Sequence, residues 1–201
     1  MALSKIDVAN MLTGATPVAN GGTALTSGTS GQFLKFTGTT TLASAAGGGI
    51  TEADTWRLTS NFQGNTTPIT ANWERDDSYQ NINVGTGMTE SSGIFTFPST
   101  GVYQVSLNLQ FSSAATDNNY ILGNIELTTN NSAYNTVALA YASIKNNATY
   151  QMMSCKKILD ITDLTNHKVR FNTSSQDDNA YVQTHTSQNF SYAMFIRLGD
   201  T

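Results

Sequence analysis

Cysteine is almost absent from this chain of 201 residues: Cys155 stands alone, so no disulfide can form within one copy. A single small thiol beside Met152 and Met153 is expected to be buried rather than reactive. Such a chain suits assembly in a reducing cytoplasm. Charge is also scarce. Charged residues make up 12% of the chain, and ten basic against fourteen acidic side chains leave a formal charge of −4. The only close basic cluster is Lys156-Lys157, with Lys168 and Arg170 further along, which reads as a solvated strand face. A protein that grips a phosphate backbone gathers lysine and arginine on one face, so nucleic acid is not an expected partner. No apolar run approaches the length of about 20 residues that a membrane span needs, and residues 1–11 lack the continuous apolar core of a secretory signal. A protein soluble at birth, with no membrane insertion, is expected. Sequons at Asn65, Asn147 and Asn172 arise readily in a chain so rich in Asn, Ser and Thr, and imply no glycosylating compartment. The two histidines, His167 and His185, lie in no frame that sets a nucleophile, a base or a metal at working spacing. An enzyme is not expected.

What the chain has is alternation. From Gly101 onward, Tyr103, Val105, Leu107, Leu109 and Phe111 fall on one side while Gln104, Ser106, Asn108 and Gln110 fall on the other. This period of two marks an antiparallel strand with one packed and one polar face. Just before it Phe95 and Phe97 alternate in the same way, Pro98 ends the pairing because it has no N–H to give, and Gly101 permits the turn. Strands are expected near 56–61, 69–73, 94–97, 102–111, 120–128, 136–144, 152–161, 168–172, 180–186 and 190–198. Short strands at this spacing, with almost no helix signal, predict an all-β, antiparallel two-sheet sandwich. Residues 51–201 suffice for one core, and residues 1–50 form a separate N-terminal segment.

Phe95-Thr96-Phe97-Pro98, followed by Gly101-Val102-Tyr103, resembles the signature of the trimeric jelly rolls of the tumour necrosis factor and complement-head superfamily. Residues 188–198 resemble the last strand of that fold. Residues 158–161 and 164–171 resemble its strand, turn and strand, with Thr165-Asn166 where the family usually has Gly-Asp. The resemblance spans residues 54–198 and implies a double-sheet jelly roll and a homotrimer. The last strand agrees: Phe190, Tyr192, Met194, Ile196 and Leu198 make one apolar face, and the other carries Ala193 and Phe195. A strand apolar on both faces is buried on both. Phe195 is therefore expected to face neighbouring protomers, with Tyr103 and Tyr192 completing a threefold interface.

Residues 1–50 cannot build a core of their own. Lys5, Asp7 and Lys35 are the only charges before Glu52, and Gly, Thr, Ser and Ala dominate. Residues 17–25 and 26–35 resemble linker and shaft segments of bacteriophage fibre and virion-surface proteins, which implies an extended, largely irregular segment. At its start Leu3, Ile6, Met11 and Leu12 lie near helical spacing, with Ser4 as a cap and Gly14 as a stop. So short a helix orders only against a partner, and in a fibre that partner is a capsid, portal or tail protein of the same particle.

Two acidic clusters, Glu74-Arg75-Asp76-Asp77 and Gln176-Asp177-Asp178-Asn179, gather oxygen atoms of the kind that bind calcium. Some relatives in the resembled superfamily bind calcium near the apex of the head, which makes Asp76, Asp77, Asp177 and Asp178 the candidate ligands. Neither cluster has the spacing of a dedicated calcium loop, so solvated turns are the first expectation and no cofactor is required.

These readings combine into a homotrimeric short fibre, head fibre or spike on a virion surface, most simply a bacteriophage, assembled in the host cytoplasm. Its loops, with Asp117, Asn118, Asn119, Asn131, Tyr134 and Asn179, are expected to meet a host glycan or surface protein, with threefold multivalency strengthening weak contacts. One alternative is a capsid decoration that stabilises the particle without binding a receptor. Another is a non-viral complement-head-like ligand, against which the missing disulfides, the missing signal and the shaft-like segment count.

Overall fold

The computed structural model describes residues 25, 28–39, 41–45, 48–79, 83–113, 116–145, 149–175 and 179–201. The expected attachment residues Leu3, Ile6, Met11 and Leu12, and the acidic residues Asp177 and Asp178, lie outside the described residues. The chain separates into two units, residues 1–49 and 50–201.

In the first unit, β1 (Phe33–Phe36) and β2 (Leu42–Ala45) pair antiparallel, with Phe33 opposite Ala45 and Phe36 opposite Leu42. The Thr37 N–H donates to the Thr41 carbonyl at 2.9 Å and closes the loop. The sequence reading gave a largely irregular segment here and marked no strand in it; the apolar run Phe33-Leu34-Lys35-Phe36 finds a partner strand within reach. Phe33, Leu34 and Phe36 remain exposed.

The second unit holds β3 (Ala53–Leu58), β4 (Phe62–Gln63), β5 (Trp73–Arg75), β6 (Thr89–Ser91), β7 (Ile94–Thr96), β8 (Gly101–Ser113), β9 (Asn118–Thr128), β10 (Tyr134–Ile144), β11 (Tyr150–Ile161), β12 (Lys168–Ser175), β13 (Ala180–Gln183) and β14 (Tyr192–Gly199). One sheet has the order β10-β9-β12-β7-β6. The other, of seven strands, centres on β8. There β11 runs along one edge of β8 for its whole length, while β14 and then β13 share the other edge, followed by β3-β5 and β4 respectively. All pairings are antiparallel, and the two sheets make a jelly-roll sandwich.

The alternation of β8 is realised: Tyr103, Val105, Leu107, Leu109 and Phe111 are each at most 2% exposed. The hairpin between β6 and β7 turns on Ser92 (φ 53°) and Gly93 (φ 79°), two left-handed residues in a row. This geometry matches the right-handed twist of the strands it joins. At Gly123 a Cβ would stand 2.7 Å from both Leu109 Cδ1 and Met153 Sδ, so glycine lets the sheets approach there. The strand expected over 69–73 begins only at Trp73, because Asn72 takes a left-handed φ of 67° and the Ile69 N–H donates instead to the Phe171 carbonyl at 2.8 Å.

Phe95 is the hub of the core. Its ring centroid lies 5.5 Å from Trp56, 5.3 Å from Trp73, 5.3 Å from Phe171 and 5.2 Å from Phe195. This corrects the expected interface. Phe195 and Tyr103 are both 1% exposed inside a single copy. Register is the reason: Phe195 lies opposite Val105 and Ala193 opposite Leu107, and residues directly opposite in an antiparallel pair share a face. The face that β14 turns outward is the other one, with Tyr192, Met194, Ile196 and Leu198. Tyr103 packs 4.8 Å from Phe97, and its hydroxyl donates to the Ser99 carbonyl at 3.0 Å.

The registers also give the sandwich two distinct ends. Gly101, Ile161, Gly199 and Ala53 gather at the near end, where the chain comes into the sandwich. Ser113, Tyr150, Ala180 and the short strand β4 gather at the far end. In the second sheet Thr96, Thr128 and Lys168 align at the near end, and Asn118 and Ser175 lie at the far end.

Candidate functional site

The far end is built from connections that follow directly from strand length. Strands β8, β9, β10, β11, β12 and β13 all start or stop there, which brings Thr116, Lys145 and Asn179 to the same end as Gln63 to Asn65. An open cleft of about 490 Å³ is lined by Gln63, Gly64, Asn65 and Asn179. Its walls are side-chain amides. Gln63 Nε2 donates to Asn179 Oδ1 at 3.4 Å, Asn179 Nδ2 donates to Thr116 Oγ1 at 3.4 Å, and the Ser175 N–H donates to Asn65 Oδ1 at 2.7 Å. Lys145 Nζ and Asp117 Oδ2 pair at 2.9 Å nearby, both well exposed. Tyr120 and Tyr141 meet edge to face on the adjoining sheet at 6.4 Å. Amides that both donate and accept suit a polar ligand held by hydrogen bonds, and exposed tyrosine rings on the five-stranded sheet can add ring contacts.

The structure divides the loops that the sequence grouped. Asp117, Asn119 and Asn179 lie at the far end and reach solvent. Asn118 does not: it is 1% exposed, paired opposite Ile144 at the start of β9. Asn131 and Tyr134 belong to the opposite end, because the turn between β9 and β10 points toward Lys168 and Thr96. Asn131, left-handed at φ 54°, lines a separate near-end cleft of about 250 Å³ with Glu90 and Lys168. Tyr134 lies under Arg170, whose guanidinium carbon is 4.0 Å from the ring centroid, while Arg170 Nε donates to Glu126 Oε2 at 2.6 Å. Burial raises the Tyr134 pKa there.

The acidic cluster has a partner that sequence reading missed. Arg57 is 1% exposed, and its guanidinium donates to Glu74 Oε2 and Asp77 Oδ1 at 2.9 Å each and to Asp76 Oδ1. Asn189 Nδ2 donates to Asp76 Oδ2 at 2.8 Å. Burial works against the Arg57 charge, yet the hydrogen bonds to Glu74 and Asp77 outweigh it and hold the pKa above the ordinary value. Asp76 and Asp77, the candidate calcium ligands, are thus already engaged by a cation. Among the described residues no group of three or more His, Cys, Asp or Glu stands ready to hold a metal. The one available signal for the pairing was an arginine set inside the apolar strand Trp56-Arg57-Leu58.

His167 accepts from the Thr162 N–H through Nδ1 at 3.4 Å. His185 accepts from the Ser187 N–H at 3.1 Å and lies 5.2 Å from the Phe190 ring. Both stabilise turns.

No protein-family model matches the chain, and no curated protein matches it. Solved structures do. Murine APRIL at pH 5.0 aligns over 73% of this chain and 98% of its own, with a TM-score of 0.52 and 10% identity. Eiger TNF from S. frugiperda aligns over 74% of this chain and 93% of its own, with a TM-score of 0.52 and 12% identity. With two antiparallel sheets, the near-end Phe-x-Phe-Pro turn and these neighbours, the chain has the TNF-like jelly-roll fold.

Proposed function

We propose that three copies of this chain form the head of a virion surface fibre or spike, attached through residues 1–50 and presenting its far end to a host glycan or surface protein. The observation that carries this reading is the polarity of the head: the chain comes in at one end, and the amide-lined cleft with Asp117, Asn119 and Asn179 occupies the other. Anything tethered by its N-terminus offers that far end outward. Assembly is supported by the outward face of the seven-stranded sheet, where Tyr150, Met152, Ile158 and Leu198 are 65%, 45%, 60% and 54% exposed beside half-buried Met194 and Ile196. These apolar side chains flank the polar row Gln104, Ser106, Asn108 and Gln110 of β8, and a face of such mixed polarity suits contact with another protein surface. The fold shared with tumour necrosis factor relatives favours copies of itself as that surface. Binding by three weak sites at once suits adhesion and calls for no catalysis or cofactor.

The test is light scattering on the full-length protein together with competition of particle adsorption to cells. A trimer that blocks adsorption, and loses the block when Gln63 and Asn179 are both changed to Ala, supports adhesion. A trimer that coats particles stoichiometrically without blocking adsorption makes it a capsid decoration. A monomer removes the fibre reading.

A further inference from the structure

The seven-stranded sheet carries opposite charge on two of its edges, and at matching heights. On β11, Lys156 and Lys157 are exposed, and among the described residues neither joins an ion pair. Across the sheet, on β5 and the residues after it, Glu74, Asp76 and Asp77 surround Arg57: three carboxylates against one guanidinium leave two negative charges in excess. The side chains of Glu74 and Asp77 are 43% and 76% exposed. Arg75 does not offset them, because it is paired with buried Asp54 at 3.1 Å.

Cross-strand register fixes the heights. Lys156 lies opposite Ser106, Ser106 opposite Met194 and Met194 opposite Thr55, whose carbonyl accepts from the Asp76 N–H. One row further toward the far end, Ser154, Asn108, Tyr192, Arg57 and Glu74 line up in the same way. A rotation axis running roughly along the strands keeps every row at its own height. Such an axis, threefold, carries the basic edge of one copy to the acidic edge of the next with Lys156 level with Asp76 and Glu74 one row off, and contact between two different patches closes into a ring when the rotation closes.

We infer that the β11 edge of one copy docks on the β5 edge of the next, with Lys156 on the outward face against Asp77, Glu74 one row away, and Lys157, opposite Val105 on the other face of β11, adding to the charge of the edge. The inference rests on the trimeric reading above and names the contact that makes the ring. Ile158, and Met152 beyond Ser154, share the outward face of β11 with Lys156, so apolar surface is buried along with the charge. The apolar part supplies most of the affinity, since exposed ion pairs contribute little. The charges decide which edge meets which, because like edges repel.

Full-length protein carrying both Asp77→Cys and Lys156→Cys tests this under mild oxidation. Native Cys155 does not compete, being buried with a thiol pKa pushed up to about 11 by desolvation. The expected product is a covalent ring of three copies on a non-reducing gel, with an equal mixture of the two single variants stopping at covalent pairs. Reversing the basic edge with Lys156→Glu and Lys157→Glu weakens assembly about tenfold or more at low salt, and adding Asp77→Lys restores part of it. If the unmodified protein is trimeric by light scattering and the double-cysteine variant melts normally but forms no intercopy bond, the edge pairing is wrong and the trimer stands. Covalent pairs alone from the double-cysteine variant also overturn the ring. An unmodified protein that is monomeric overturns both.

Discussion

Phe195 lies opposite Val105 across β14 and β8, and its ring reaches 5.2 Å from that of Phe95 on the facing sheet. The contact ties the last strand of the chain to the sheet it does not belong to. Phe195→Ala is expected to cost about 3–5 kcal/mol of stability in urea unfolding, the range for a large aromatic removed from a packed core. Tyr192→Glu, one residue-triplet earlier on the outward face, is expected to leave the protomer's unfolding midpoint within the range of surface changes and to lower the assembled mass. If the two variants behave alike, the division of faces is wrong.

Arg57 holds Asp76 in a site where both are buried. Arg57→Met leaves that carboxylate without its cation, and breaking such a pair from one side costs about 3–5 kcal/mol. Arg57→Lys should recover only part of the loss, since an ammonium cannot meet three carboxylates in one plane. Chemical denaturation of the three proteins ranks them, and a lysine variant as stable as the parent would count against the network.

Asp163 caps the turn before β12, accepting from the Asn166 side-chain amide at 2.7 Å and from the Thr165 and Asn166 N–H groups at 2.8 and 3.2 Å. These bonds, the Asn166 side-chain amide foremost, lower the Asp163 pKa below its ordinary 3.8. A carboxylate depressed in the folded state contributes stability that is present above its unfolded pKa and lost as the pH falls through the folded value. The difference in melting temperature between the parent and Asp163→Ala is therefore expected at pH 6 and to shrink steadily below pH 4. A constant difference across that window would show that the cap does not act through its charge.

Cys155 is 6% exposed, and burial pushes its pKa up to about 11 from an ordinary 9.0. Thiolate is scarce at pH 8 and the sulfur is covered, so a thiol reagent should label the native protein only as fast as it unfolds. Keeping this thiol neutral contributes stability below its ordinary pKa, and that contribution declines as the pH rises from about 9 toward 11. Rapid labelling in buffer would contradict both statements.

Most of the architecture was legible because alternation is a local signal. The run from Tyr103 to Phe111 declares its inward side without help from any other strand, and Phe95 with Phe97 declares theirs. The last strand was misread because it is apolar on both sides, and only its register against β8 decides which side is inside. The two ends of the sandwich are likewise a property of pairing: nothing in Asn130 or Asn131 says that their turn lies opposite the one near Asp117. The Arg57 cluster joins residues 17 to 20 positions apart through a strand pair, beyond the reach of spacing arguments. Gly123 is silent in the sequence because its role is to be absent where Leu109 and Met153 close in.

The length of β8 fixes a working distance. Thirteen residues in extended form span roughly 40 Å at about 3.4 Å each. The end of β8 at Ser113 is held at that stand-off from its start at Gly101, with a single uninterrupted strand as the strut between them. The two ends of the sandwich can therefore be changed independently, because substitutions more than about 10 Å apart with no shared partner add.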